Sequence, residues 1–245
     1  MPTACVNQPG CRIHLSQERL EVYGRDENDG KDRLLREIPI RDCDRLIVQE
    51  SVHITSAAMA ALLKAGVPIS YLAWNGRFLG AFHPAINAHG RWRLLQYQRT
   101  LDPAFALAMA GRIVSAKIFN QRRMVQRIAA GRGMEMPADL AWMDQILARC
   151  RDCGSLDELR GHEGVATARY FDLWARFLPE AFPFERRSTR PPHNPVNACI
   201  SFGATLLYGE MVAFAHAHGL DPALGTLHTT EDHRWSLALD LIEPF

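Results

Sequence analysis

Apolar and polar residues alternate through the first third of the chain, then switch to a period of three to four. Arg12-Ile13-His14-Leu15 and Arg19-Leu20-Glu21-Val22-Tyr23 alternate on either side of a short turn, which predicts a hairpin. A polar loop follows Gly24 and runs over Arg25 to Lys31. Arg33 to Ile40 and Arg45-Leu46-Ile47-Val48 continue the strand character. Thr55 reads as the N-cap of a helix over Ser56 to Ala65 that Gly66 stops. Val67 to Ala73 and Arg77 to Phe82 flank Trp74-Asn75-Gly76, and Asn-Gly between apolar runs signals a second hairpin.

The pattern turns helical near Ala88-His89-Gly90. Asp102-Pro103 offers a cap and a first-turn proline for a helix to about Ala130. Ser155-Leu156-Asp157-Glu158 fits a capping box that opens a helix to about Leu178. Its apolar positions are Leu156, Leu159, Ala166, Tyr170, Leu173, Trp174 and Phe177. Asn194-Pro195 opens another helix, which Gly219 ends, and a short helix starts at Trp235 or Ser236 before Pro244. The expected fold class is α+β: a small β-rich N-terminal domain over residues 1–88 and a larger all-α domain over residues 89–245.

Composition narrows the function class. The 245 residues are 47% hydrophobic and 22% charged, ordinary for a globular protein. No uninterrupted apolar run reaches the ~18–20 residues of a membrane span, and Met1 to Cys5 does not open a signal peptide. These readings predict a cytoplasmic protein without a membrane partner. Six cysteines are then reduced thiols. Cys150-Arg151-Asp152-Cys153 is a lone CxxC, a weak zinc signal without a second close pair. The net charge of +1 conceals an uneven distribution. Residues 89–132 carry nine basic residues and one acidic, Asp102, for a net +8. A block of that kind is a candidate phosphate-binding face rather than a merely solvated helix face, and it directs attention to nucleic acid.

Candidate chemistry lies in the last third, at Glu163, His228, Asp240 and Glu243. Taken singly, each reads as a surface or structural residue. Together, one imidazole with two or three carboxylates makes a hard, mostly oxygen donor set. It suits Mg²⁺ or Mn²⁺ acting on phosphate better than a structural zinc. Asp240 and Glu243 are three apart, so on a helix they point about 60° apart on one side.

Longer motifs surround these residues. They are Leu159 to Ala166 with Arg169-Tyr170-Phe171, Asn194 to Ala198 with Ser201-Phe202-Gly203, Gly219 to His228, and Ser236 to Phe245. Upstream, Asn75-Gly76-Arg77, Arg93 to Tyr97 and Ala116 to Arg122 fit the same pattern. In this order the motifs resemble those of the CRISPR-associated protein 1 family, the integrases that capture new spacers. The resemblance runs from about Cys11 to Phe245.

The resemblance implies a metal-dependent DNA endonuclease and integrase that joins foreign DNA fragments to a CRISPR array by phosphodiester transesterification. It implies Glu163, His228 and Glu243 as ligands of Mg²⁺ or Mn²⁺, with Asp240 a second acidic position beside them. It also implies a homodimer built through the N-terminal domains, and assembly with CRISPR-associated protein 2 on DNA. Lys117, Arg122, Arg123, Arg127, Arg186, Arg187 and Arg190 are the expected backbone contacts, which position DNA without reading its sequence. Three departures stand out: Asn194 in place of the usual aspartate, His162 in place of an apolar residue, and an end at Phe245 where the family continues. The last leaves open a repair nuclease without integration, or a DNA-binding scaffold without activity.

Overall fold

The period-two segments form two four-stranded sheets, and the segments of longer period form helices, in a computed structural model that describes residues 3–25, 30–85, 90–189 and 191–245. The fold is α+β. The strands are β1 (Thr3–Val6), β2 (Arg12–Ser16), β3 (Arg19–Arg25), β4 (Asp32–Pro39), β5 (Arg45–Gln49), β6 (His53–Ile54), β7 (Ile69–Leu72) and β8 (Phe78–Phe82). The α-helices are α1 (Ser56–Lys64), α2 (Gly90–Thr100), α3 (Pro103–Gly131), α4 (Pro137–Arg151), α5 (Leu156–Ala175), α6 (Pro195–Ala217) and α7 (Ser236–Ile242).

One sheet has the order β4-β3-β2-β6. The β2–β3 hairpin sets Ile13 opposite Val22 and Leu15 opposite Leu20. The alternation is realised as burial of Ile13, Leu20 and Val22. The other sheet has the order β1-β5-β7-β8, with β1, β5 and β7 parallel and β8 returning antiparallel to β7. Parallel neighbours need a crossover, and α1 supplies it between β5 and β7. The Thr55 hydroxyl caps α1 by accepting from the Ala58 amide at 3.3 Å. β5 is buried along Arg45 to Val48, as a central parallel strand must be. Its core partners Leu46, Val48, Leu62 and Ile69 are fully buried.

The described chain forms two compact units: Met1–Trp92 with Val212–Leu220, and Arg93–Met211 with Asp221–Phe245. The boundary expected between 88 and 89 falls among residues 86–89, outside the described residues, as does part of the polar loop before Lys31. The helical part is not one continuous run, because Val212–Leu220 belongs to the β-rich unit. Within that unit the Arg45 guanidinium lies 3.9 Å over the Phe214 ring, a buried cation–π contact.

In the helical unit Asp102 accepts from the Ala104 and Phe105 amides, and Pro103 takes the first turn of the 29-residue α3. Ala106, Ala110, Val114, Ile118, Val125 and Ala129 form its buried stripe. The α5 capping box forms with one change. Ser155 Oγ accepts from the Glu158 amide, while the Glu158 carboxylate reaches Gly154 N at 3.0 Å, one residue before the cap. α5 ends at Ala175, three residues before the expected Leu178. α6 is by length and composition apolar enough to cross a membrane, although no uninterrupted apolar run marks it. Its polar residues are small and neutral through most of its length, so a search for uninterrupted apolar runs passes over it. One of them, Asn197, is fully buried and hydrogen-bonded to Arg186 O and Ser188 N.

Candidate metal centre

Four segments of the helical unit bring side chains to one point. α3 supplies Lys117, α5 supplies Glu163, the loop after α6 supplies His228, and α7 supplies Asp240 and, at its C-cap, Glu243. The Lys117 ammonium lies between Glu163 and Glu243 and pairs with both. His228 Nε2 stands 3.6 Å from Glu243 Oε1. Thr167, one turn beyond Glu163, donates its hydroxyl to Glu163 Oε1 at 2.8 Å. Glu163 and Glu243, 80 positions apart in sequence, thus meet on a single positive charge, and His228 joins the group through Glu243.

Asp240 organises the loop from beneath. It is fully buried, and its carboxylate accepts from the amides of Thr226, Leu227 and His228 and from the Thr226 hydroxyl. Its Oδ1 also lies 2.8 Å from His228 Nδ1. A carboxylate held below its ordinary pKa has no proton to give, so Nδ1 carries the hydrogen of that bond and Nε2 faces Glu243. Burial pushes the Asp240 carboxyl up, and the donors from His228 and the 226–228 backbone outweigh it and hold it low. At Lys117 burial acts against the charge, and Glu243 and Glu163 outweigh it and push the ammonium's pKa up.

Several contacts fix the frame. Arg160 on α5 donates twice to Leu227 O, at 3.1 and 2.7 Å. Gln96 on α2 exchanges two 2.8 Å bonds with the Asp221 backbone, anchoring the start of the loop. Asn120, one turn past Lys117, donates to Pro244 O and holds the chain beyond α7. Gly225 lets the loop approach α7, since a Cβ there would stand 2.6 Å from His228 O and 2.8 Å from Ser236 Cβ. Gly164 has no such role. A Cβ on it meets nothing within 4 Å, so no described backbone approaches it closely.

The donor set fits a divalent cation on the chemistry of its atoms. Two carboxylates already flank a cationic group, the Lys117 ammonium, and an imidazole nitrogen stands 3.6 Å from one of them. They form the hard, oxygen-rich set that Mg²⁺ and Mn²⁺ prefer. Asp240 behind His228 is the outer carboxylate that fixes a ligating imidazole's tautomer and orientation. Glu163, His228 and Glu243 are the residues that would hold the ion, and Asp240 would position one of them.

The expected DNA contacts divide. Lys117 is drawn into the cluster with its side chain 13% exposed, so it is no free surface cation. Arg122 pairs with Asp144 at 2.6 Å. Arg187 is half-buried and bonds to Ser188 O, Asn197 and Ser201, bracing the loop before α6. Arg123, Arg127 and Arg186 are exposed, and Arg190 lies outside the described residues. On α3, Arg123 and Arg127 fall about 120° and 80° from Lys117, on the side of Asn120, whereas Arg122 turns away. The frame residues Arg160, Gln96, Asn120 and Thr167 carry no chemical signature of their own. Arg160, Gln96 and Asn120 lie within the motifs, and Thr167 falls just outside them.

Gly225→Ala should lower stability by at least about 2 kcal/mol in urea unfolding, because both obstructing groups lie on or beside backbone. Gly164→Ala should raise it by about 0.5–1 kcal/mol, since it removes a glycine from an open helix position.

Comparison with known proteins follows the same residues. The family model described as CRISPR associated protein Cas1 matches residues 4–245. A CRISPR-associated endonuclease Cas1 of Thermodesulfovibrio yellowstonii is 30% identical over 249 residues, covering 100% of this chain and 76% of that protein. A casposase bound to integration product superposes with a TM-score of 0.78 at 25% identity, over 100% of this chain and 69% of that one. A partial Cas6-RT-Cas1–Cas2 complex gives 0.75 at 27% identity, over 99% and 72%. Within a Cas4/Cas1 fusion of Geobacter sulfurreducens the chain spans 43% of the length. The chain belongs to the Cas1 family of CRISPR-associated proteins.

Proposed function

We propose that this chain is the catalytic portion of a metal-dependent DNA endonuclease and integrase of CRISPR adaptation, joining DNA fragments to a repeat array. The observation that supports this reading is the meeting of Glu163 and Glu243 on one cation position, with His228 Nε2 beside Glu243. The relatives' names, an endonuclease and an integration product, agree with it. DNA and CRISPR-associated protein 2 are the proposed partners, by likeness to the Cas1–Cas2 complex, together with a second copy of this chain.

In the proposed reaction a 3′-hydroxyl of the fragment attacks a backbone phosphorus. A new phosphodiester forms, one strand of the repeat leaves as a free 3′-hydroxyl, and the proton its oxygen takes up matches the one the attacking hydroxyl gives up. The number of diester bonds is conserved, so no energy source is needed. When bound, the divalent ion offsets charge on the phosphoryl oxygens and lowers the pKa of the attacking hydroxyl. The chain's own residues prepare that position. Asp240 holds the His228 ring with Nε2 facing inward, and Thr167 orients Glu163. Lys117, released from the two carboxylates, carries its charge to the phosphate. Arg123 and Arg127 extend the contact along the DNA backbone. With water in place of the hydroxyl, the same site cuts.

Glu163→Ala should abolish both joining and cutting of a repeat-bearing plasmid with a free fragment. The melting temperature should stay within a few degrees of the parent, because the change is made at a partly exposed position outside the hydrophobic core. Cutting without joining in the parent chain would favour a nuclease confined to repair. Neither activity, with metal bound, would favour an inactive scaffold.

DNA affinity should depend on α3. Arg123→Gln with Arg127→Gln should flatten the slope of log affinity against log salt by about 1.8, two contacts at about 0.9 each. Arg122→Gln should leave the slope unchanged, because Arg122 is already committed to Asp144. Fluorescence anisotropy on duplexes of unrelated sequence reads both.

A further inference from the structure

A second cluster of metal-ligating atoms lies on the turn between α4 and α5 and on the first turns of α5. The Cys153 Sγ, a Glu158 carboxylate oxygen and a ring nitrogen of His162 all lie within 4.8 Å of one another. The sequence shows only a lone CxxC here, and a second CxxC does not complete it. The next helix does so instead, with Glu158 and His162 one turn apart on one face.

The three side chains are held differently from an ordinary surface group. Glu158 is fixed by the cap of α5. Its Oε2 accepts from Gly154 N at 3.0 Å, and its Oε1 faces His162 Nε2 across 4.0 Å. That gap is too long for a hydrogen bond. Cys153 Sγ points back over the end of α4, 3.4 Å from Arg149 O. The donor set is one sulfur, one nitrogen and one oxygen. A thiolate and an imidazole select a borderline ion such as Zn²⁺ over Mg²⁺. Zinc bonds of about 2.0–2.3 Å put tetrahedral ligand atoms roughly 3.3–3.8 Å apart, so the side chains need close by only about 1 Å. Glu158 and His162 keep 52% and 24% of their side chains exposed, which leaves room for that rotation and for a water as fourth ligand.

We propose that Cys153, Glu158 and His162 bind a zinc ion that braces the α4–α5 turn and the opening of α5. This site is chemically distinct from the oxygen-rich centre. Glu163, the next residue after His162, points about 100° away around the helix. The zinc site does not rest on the proposed function, and either can fail without the other.

Cobalt alone is the probe, added to the whole chain with a non-thiol reductant. A thiolate-to-cobalt charge-transfer band should grow, saturate near one equivalent, and vanish when Zn²⁺ displaces the cobalt. The oxygen-rich centre contains no sulfur and cannot produce that band, so Glu163→Gln should retain it. Cys153→Ser should lose it. Glu158→Gln and His162→Gln should each weaken binding about tenfold or more, with unchanged circular dichroism. No band in the parent chain would overturn the proposal. So would a band that survives Cys153→Ser, or unchanged affinity in both the Glu158→Gln and His162→Gln variants.

Discussion

Two carboxylates from different helices face the same point, and that arrangement requires a positive charge. At roughly 5 Å apart and an effective dielectric of about 20, Glu163 and Glu243 would repel by roughly 3 kcal/mol. The Lys117 ammonium removes that repulsion, and burial at Lys117 is outweighed by the two negative partners. The packing of α3 against α5 and α7 therefore has an electrostatic condition: a cation must sit where the three helices meet. A lysine on a flexible stem can leave that position when a divalent ion arrives, which a buried arginine fork would do less readily.

The loop between α6 and α7 depends on a second carboxylate. Asp240 gathers three consecutive backbone amides and the His228 ring, so the shape of residues 226–228 and the tautomer of the imidazole share one cause. Arg160 fixes the same loop to α5 through Leu227 O, and Gly225 allows α7 to come close enough for Asp240 to reach it. Asp240 was expected as a second acidic position beside the ligands. Its oxygens bond the loop amides and the His228 ring, so its part is to position. Glu243 faces the cluster from the C-cap of α7, and Asn120 holds the chain just beyond it through Pro244 O.

Much of this was legible before any coordinates. The alternation at Ile13, Leu15, Leu20 and Val22 specified a hairpin, because one face of those strands is buried. Thr55, Asp102 and Ser155 announced helix starts, because their side chains replace missing backbone partners. β1 was missed: four residues at a sheet edge leave too short a pattern to read. α2 and α4 were not resolved as separate helices. Pro137 opens α4 without a side-chain cap, and α2 buries none of its side chains, so it has no apolar stripe. The return of Val212–Leu220 to the β-rich unit has no local signal at all, since it depends on Arg45 meeting Phe214. At the site, Glu163, His228 and Glu243 were singled out by their motif neighbours. The placing of Lys117 between the carboxylates was not, because nothing in Ala116-Lys117-Ile118 distinguishes an inward lysine from a solvated one.

The central claim is that Glu163, His228 and Glu243 share one divalent ion in place of the Lys117 ammonium. Anomalous diffraction at the manganese edge, on crystals of this chain soaked in Mn²⁺, tests it directly. The account predicts a single strong peak within bonding distance of Glu163, His228 Nε2 and Glu243, with Lys117 turned away. A saturating soak that leaves the ammonium between the two carboxylates, or places manganese without contact to all three residues, would contradict it.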